Sequence, residues 1–370
     1  MSQQGQSDIF AQRLLSIDAL RGFDMFWIIG GHWIFMGLCA VSKNPLTEAI
    51  STQLRHVKWE GFHFWDLIMP LFLFIVGVAM PFSFSKRLER GDSQKNLTIH
   101  IAIRSAILFF LGIVAQGNLL KFDLSKLHLY CNTLQAIAAG YLIASLIMLN
   151  FDIKWQIGIT SGLILVFWAL MAWVPVPGYG AGVLTPEGNL AIYLDKVLLG
   201  RFQDGTNYSW ILSSLTFGAT VMLGGIAGQL LRSKKSQWMK VAWLAGFGAG
   251  CILVGWIWGF AFPIIKHLWT SSFVLFSGGI CVLLLALFYM IIDVKGWRKW
   301  AFGFKVIGMN AISVYMVTRL FDFRLIGDVF VGGLLRFIQP WDNFVRGLAG
   351  FAVIWLILYW MYSKRTFIKI

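Results

Sequence analysis

Apolar residues recur along the chain in long runs, each closed by a short polar, glycine or proline-bearing stretch. The runs fall at 17–40, 63–84, 100–118, 130–149, 156–174, 209–231, 240–262, 270–292, 304–321 and 343–362. A helix needs about 20 predominantly apolar residues to cross a bilayer. The pattern therefore predicts an all-α, polytopic transmembrane helix bundle of about ten spans. It fills the whole of 1–370 as a single membrane-embedded domain, with no soluble domain beside it.

Composition turns this from a pattern of helices into a statement about solvent. Of the residues, 58% are hydrophobic and only 13% charged, with a mean hydropathy of +0.71. Too little polar surface remains to cover such a chain in water, so its solvent is lipid. The formal net charge of +14 would suit a nucleic-acid partner, but the basic residues sit in short clusters between apolar runs rather than along one polar face. They read as topology signals, and no nucleic acid is expected. With the N-terminus inside, 19 of the 31 basic residues fall on the cytoplasmic side, among them Arg13, Arg21, Lys86, Arg87, Lys234, Lys235 and Lys369. The positive-inside rule then places both termini in the cytoplasm, an N-in/C-in arrangement. Residues 1–11 carry no basic n-region and 16–40 is too long for a signal-peptide core, so no cleavage is expected. Cys39, Cys131, Cys251 and Cys281 are dispersed, without paired spacing, and read as packing residues.

This orientation leaves two substantial outer segments, 41–62 and 175–209. The second is rich in glycine and proline and long enough to fold over a cavity mouth as an extracytoplasmic cap loop, with a short interfacial helix at 190–199. A plain connector is the competing reading.

Ionisable residues within or beside apolar spans are costly unless they face a cavity, so each is a functional candidate. Asp18, Arg21 and Asp24 crowd the first span, where Asp18 and Arg21 form a self-neutralising i,i+3 pair. His32 follows Gly30 and Gly31, small residues that let another helix or a ligand approach. The densest group is His56, Trp59, Glu60, His63 and Asp66, where the outer loop turns into the second span. A helix starting near Gly61 would put His63 and Asp66 one turn apart on one face, with His56 in the loop above. A histidine backed by a carboxylate suits a general base or nucleophile near neutral pH. The competing reading is an interfacial belt, since Trp59, His63 and Trp65 fit headgroup depth. The spacing matches no common metal site, and no metal is expected. Arg104, Asn132, Gln135, Lys266, Trp269, Ser272, Asn310 and Tyr315 are candidates for a polar interior running through the bundle, with plain helix–helix hydrogen bonding the alternative for each. Phosphate loops, dinucleotide fingerprints and nucleophile elbows are absent from the sequence.

The segments RLLSIDALRGFDMFW, HVKWEGFHFWDLIMPLFLFIVG, LTPEGNLAIYLD, KHLWTSSFVL and GMNAISVY, in this order over nearly the whole chain, resemble the bacterial relatives of heparan-α-glucosaminide N-acetyltransferase. The resemblance implies a multi-pass protein of a bacterial inner membrane that takes acetyl-CoA from the cytoplasm and delivers its acetyl group to the amine of a glucosamine-type sugar, or a glycosaminoglycan-derived saccharide, on the far side. It implies a catalytic histidine at His56, with Trp59, Gly61, Asp66, Leu67 and Pro70 in register and Asp66 as its electrostatic partner. The family's asparagine near the acetyl group falls around His32, and its L-Q-R reads Leu134, Gln135 and Ala136, two departures that leave those positions without a transferred role. The substrate-binding set is then His32, Trp59, Glu60 and His63. Arg104, Asn132, Gln135, Lys266, Trp269, Ser272, Asn310 and Tyr315 are the candidates for holding acetyl-CoA, with Lys235 and Lys305 also available to its phosphates. The expected partners are the lipid bilayer, acetyl-CoA and the saccharide; a homo-oligomer is compatible with all of this.

Two other classes compete. An ion-coupled solute transporter would predict related halves with matching helix interruptions, and no such repeat relates 1–185 to 186–370. A non-catalytic assembly protein would tolerate loss of His56.

Overall fold

The computed structural model of the protein describes residues 14–119 and 122–368; Arg13, Lys369 and the segment 1–11 lie outside them. The described residues are helical, with no β-strand among them. The first crossing, Leu15–Val41, is made of α1 (Leu15–Phe26) and α2 (His32–Val41), joined by one wide turn at Trp27–Gly31. A short helix α3 (Pro45–Gln53) follows, then a tight turn at Phe64–Leu67 that leads into α4 (Ile68–Glu89). The next elements are α5 (Gln94–Ala115), α6 (Thr133–Asn150), α7 (Ile153–Trp173), the short α8 (Leu190–Leu199), α9 (Ser214–Arg232), α10 (Gln237–Trp258) and α11 (Ser271–Tyr289). The chain closes with α12 (Phe302–Gly308), α13 (Ala311–Leu320), α14 (Phe323–Leu335) and α15 (Asp342–Ser363).

Several helices start where a polar residue takes the first free backbone N–H groups. Ser93, Asn132, Asp152, Asn189 and Ser236 each accept from a residue two or three positions ahead. In lipid such groups have no water to turn to, so the cap also decides where a helix can begin.

Among the described residues, nine helical segments are long and apolar enough to cross a membrane. The crossing expected at 304–321 is not one helix. The backbone leaves helical geometry at Asn310 (φ −124°, ψ 32°) and again at Phe321 (φ −127°, ψ 133°). At the first break the Asn310 side chain donates to Thr366 O at 3.3 Å and accepts from Ile368 N at 3.1 Å, fastening the C-terminal segment to the bundle. At the second, Asp322 caps α14 by accepting from Arg324 N at 3.0 Å.

The centre of the bundle is the pair α4 and α9, which run in the same direction from the cap end to the basic end, Phe74 beside Gly224, Val78 beside Gly228 and Pro81 beside Arg232. A methyl group at Gly77 would lie 1.9 Å from the Val221 carbonyl oxygen, and one at Gly224 would lie 2.0 Å from that of Phe74. The two backbones therefore touch, as lipid-embedded helices do when small residues line their seam. α10 and α15 lie outside this pair and turn large apolar side chains outward, among them Trp243, Leu253, Trp256, Leu356 and Trp360. The loops 42–63, 174–213 and 259–270 gather at one end of the bundle, called here the cap end; the end carrying Lys86, Arg87, Arg232 and Lys234 is the basic end.

Candidate functional site

Three loops interlock at the cap end. Gly61 N donates to Ile264 O at 2.9 Å, Ser209 N to His267 O at 2.9 Å, and Trp59 Nε1 to Leu184 O at 2.9 Å. Asp195 on α8 holds the return of the long loop, accepting from Trp210 N at 2.7 Å and Ile211 N at 2.9 Å. Burial pushes the Asp195 carboxyl up to about 6, against those two N–H groups, which pull it down.

Where these loops meet the start of the second crossing, His56 Nδ1 lies 2.6 Å from Asp66 Oδ1. Asp66 is buried, and its other oxygen accepts from His63 N at 3.1 Å and Val57 N at 3.3 Å. The same carboxylate therefore caps the turn Phe64–Leu67 and orients the histidine. Lys266 Nζ approaches from the third loop, 3.4 Å from Asp66 Oδ1 and 3.2 Å from His56 Nδ1. An ionised carboxylate only accepts, so the short contact requires the proton on Nδ1. The lone pair of neutral His56 is then on Nε2, which bonds no described residue. Lys266 is buried, and burial pulls its ammonium down to about 8 although Asp66 opposes this. Next to it, His267 is held down to about 4 by burial and by the Lys266 charge, and it lies between the rings of Trp59 (5.1 Å, stacked) and Tyr208 (4.3 Å).

His56 and Lys266 line a cavity of about 480 Å³, together with Trp65, Asn132, Tyr208, Tyr315 and Arg319. A second cavity of about 400 Å³ opens toward the basic end beside Arg21, Lys86 and Arg104. Phe72 lines both. Trp65, Ile68, Met69 and Phe72 face the first, and Phe72, Val76, Ala79, Met80, Ser83 and Lys86 face the second. These positions recur at helical spacing, so one stripe along α4 connects the two ends of the bundle.

Of the residues singled out from the sequence, His56, Asp66, Lys266, Asn132 and Tyr315 converge on this cavity or its wall. His63 and Asp66 do not pair through their side chains as the one-turn spacing suggested. The tight turn Phe64–Leu67 starts three residues later than Gly61 and α4 only at Ile68, so His63 becomes the cap residue of that turn, and its ring bonds Arg55 O at 2.9 Å instead. His32 stands behind Trp65, with ring centres 4.3 Å apart, bonds Leu54 O at 3.1 Å and lines a neighbouring cavity with Arg324 and Asn343. Trp59 packs on His267, and Glu60 is exposed. Arg104 lies over the Tyr141 ring on the second cavity. Gln135 accepts from Cys131 N and donates to Leu129 O; Ser272 donates to Pro263 O; Trp269 donates to Thr220 Oγ1. These three brace turns and core, and Asn310 holds the C-terminal segment. Tyr208, Asp204, Trp210 and Arg319 were missed. Arg319 carried a signal, a cation inside an apolar run, while the others lie in the long loop and depend on how it folds back. Among the described residues no three His, Cys, Asp or Glu side chains gather as a metal site would require.

No family model matches the chain. The chain is 25% identical, across 97% of its length, to heparan-alpha-glucosaminide N-acetyltransferase of Mus musculus, of which the alignment covers 61%. To the protein of the same name from Homo sapiens it is also 25% identical, across 97% of this chain and 60% of that one. The chain thus spans about 60% of the length of the curated relatives it matches. It is a distant relative of these N-acetyltransferases.

Proposed function

We propose that this membrane protein transfers an acetyl group from acetyl-CoA to the amine of a glucosamine-type sugar, with His56 as general base. The observation that carries this reading is the His56–Asp66–Lys266 cluster, set on a cavity that shares its Phe72 wall with a second cavity opening toward the basic end. The distant N-acetyltransferases supply the reaction class.

A protonated amine is not a nucleophile, so the catalyst has to bring a neutral amine to the thioester and take up its proton. With Nδ1–H held by Asp66, His56 Nε2 accepts the proton as the nitrogen attacks. The carbon–nitrogen bond forms, the carbon–sulfur bond breaks, and the proton passes to the departing thiolate, giving amide and free CoA. Lys266 and Asn132 border the cavity where negative charge grows on the carbonyl oxygen.

Acetyl-CoA fits the α4 stripe. Its phosphates would rest against Arg21, Lys86 and Arg104, and its pantetheine arm would pass Phe72. Lys235 and Lys305 are set apart from this path: Lys235 lines a different cavity, and Lys305 donates to Tyr362 Oη at 3.1 Å. In this reading both termini and the basic end face the cytoplasm of a bacterial inner membrane, and the sugar enters at the cap end.

Labelled acetyl-CoA offered to proteoliposomes with a panel of amino sugars tests the reading. Acetylated product in the wild type and none with His56→Ala is expected. Full CoA release by the variant with glucosamine present overturns the role of His56, and silence of the wild type across the panel overturns the reaction.

A further inference from the structure

At the basic end, away from the α4 stripe, a cavity of about 570 Å³ is bordered by five cations: Arg232, Lys234, Lys235, Lys240 and Arg298. One carboxylate, Asp293, shares the border, and it already accepts from Ser16 N at 3.2 Å. None of the five cations forms an ion pair with a described residue. Arg232 and Lys240 are instead tethered to backbone carbonyls, Arg232 Nη1 to Pro81 O at 3.0 Å and Lys240 Nζ to Leu231 O at 2.7 Å. Among the described residues, positive charge is thus fixed around a concavity where five cations face one carboxylate, Asp293. The 22-residue helix α10 starts on the same border, with Ser236 as its cap, and adds its N-terminal dipole to that charge.

The floor is apolar. Phe82, Leu231 and Tyr289 line it, so the cavity offers one anionic subsite over a greasy one. The segments that border it carry large exposed indoles, Trp238, Trp243, Trp297 and Trp300, and Lys235 Nζ sits 5.2 Å over the Trp243 ring. Tryptophans of this kind lie at the headgroup level of a bilayer, which places the cavity where lipid phosphates are. No residue lining it lines either cavity of the α4 stripe.

We infer that this cavity binds the phosphodiester headgroup of an anionic phospholipid, at a site separate from the acetyl-CoA path. Basic pockets between membrane helices hold such headgroups through point charges on the phosphate, with the glycerol and first methylenes against the apolar wall. The occupant neutralises the crowded cations and ties the turn between α9 and α10 to the loop after α11.

The test uses the full chain in detergent, mixed with phosphatidylglycerol or phosphatidylcholine. Native mass spectrometry counts retained lipid, and thermal unfolding follows stability. The variant is Lys234→Glu with Lys235→Glu, two exposed side chains that cap nothing. The wild type is expected to retain phosphatidylglycerol in preference to phosphatidylcholine and to unfold at a higher temperature with it. Losing two cations, at roughly a factor of five each, should cost about 25-fold in that preference, and the two added carboxylates increase the loss further. Unchanged unfolding of the variant in phosphatidylcholine shows that it folds; if it does not, Lys234→Gln with Lys235→Gln is expected to lose the same preference. Equal retention of both lipids by the wild type overturns the proposal, as does an undiminished preference in a folded variant. Displacement of the lipid by inorganic phosphate or by CoA also overturns it, because the site would then serve a soluble anion.

Discussion

His56 and Lys266 stand 210 positions apart in the chain, yet the lysine Nζ lies 3.2 Å from the imidazole Nδ1, and both contact one oxygen of Asp66. A cation, a carboxylate and an imidazole within hydrogen-bonding distance form a coupled unit. Changing one alters the charge or orientation of the others.

Asp66→Asn keeps the size of the side chain but removes the ionised acceptor that fixes the proton on Nδ1. The expected result is a fall in kcat of about 10²- to 10⁴-fold with little change in KM. Steady-state kinetics in proteoliposomes measures it, and a variant at wild-type kcat would remove Asp66 from the proposed mechanism.

Lys266 sets a limb of the pH profile. Its ammonium is held at about 8, below the ordinary lysine value, so it is charged below that pH and neutral above it. If its charge supports the carbonyl oxygen during transfer, activity falls as pH rises through about 8. Lys266→Gln should be slower overall and lack that falling limb. A limb identical in both proteins would assign it to another group.

Phe72 borders both cavities of the stripe and is buried. Enlarging it narrows the junction. Phe72→Trp is expected to raise the KM for acetyl-CoA at least about tenfold, the direction of lost uniform binding, while leaving the KM for the sugar within about twofold. Equal effects on both substrates would place the block elsewhere.

The helix seam predicts a contrast in stability. A methyl group at Gly77 meets the Val221 carbonyl oxygen at 1.9 Å, whereas one at Gly158 has open space. Gly77→Ala should destabilise by about 1–3 kcal/mol or more through forced separation of α4 and α9. Gly158→Ala should be neutral or stabilising by up to about 1 kcal/mol. Thermal unfolding in detergent compares them.

The cap should tighten in acid. Burial lifts the Asp195 carboxyl to about 6, above its unfolded value near 3.8, so the folded form takes up a proton first. Falling pH through 6 therefore favours the folded cap, and that advantage is complete below about 3.8. Limited proteolysis of 174–213 is expected to be slower at pH 5 than at pH 7.5, and Asp195→Asn should flatten the difference.

Much of this architecture is written locally. The spacing of apolar runs, the cap residues Ser93, Asn132 and Asp152, and the charge crowded into connecting segments each depend on a few neighbouring positions and on lipid as solvent. Helicity, the approximate crossings and the short helix at Leu190–Leu199 follow from them. His56 and Asp66 also share one segment, so the resemblance alone already pairs them.

Beyond that reach, the sequence named groups without placing them. Spacing paired His63 with Asp66, but the turn at Phe64–Leu67 made His63 a cap and sent its ring to Arg55 O. The breaks at Asn310 and Phe321 are invisible to hydropathy, because Asn310 leaves the helix to bind Thr366 and Ile368, far along the chain. Lys266, Tyr208 and Phe72 share a cavity because loops dock on one another and because α4 and α9 touch backbone to backbone at Gly77 and Gly224. The sequence by itself determined the helices and their solvent, since helix formation and lipid burial are summed over adjacent residues. Only the tertiary structure decided which charges meet, since that depends on contacts between segments whose separation along the chain carries no distance.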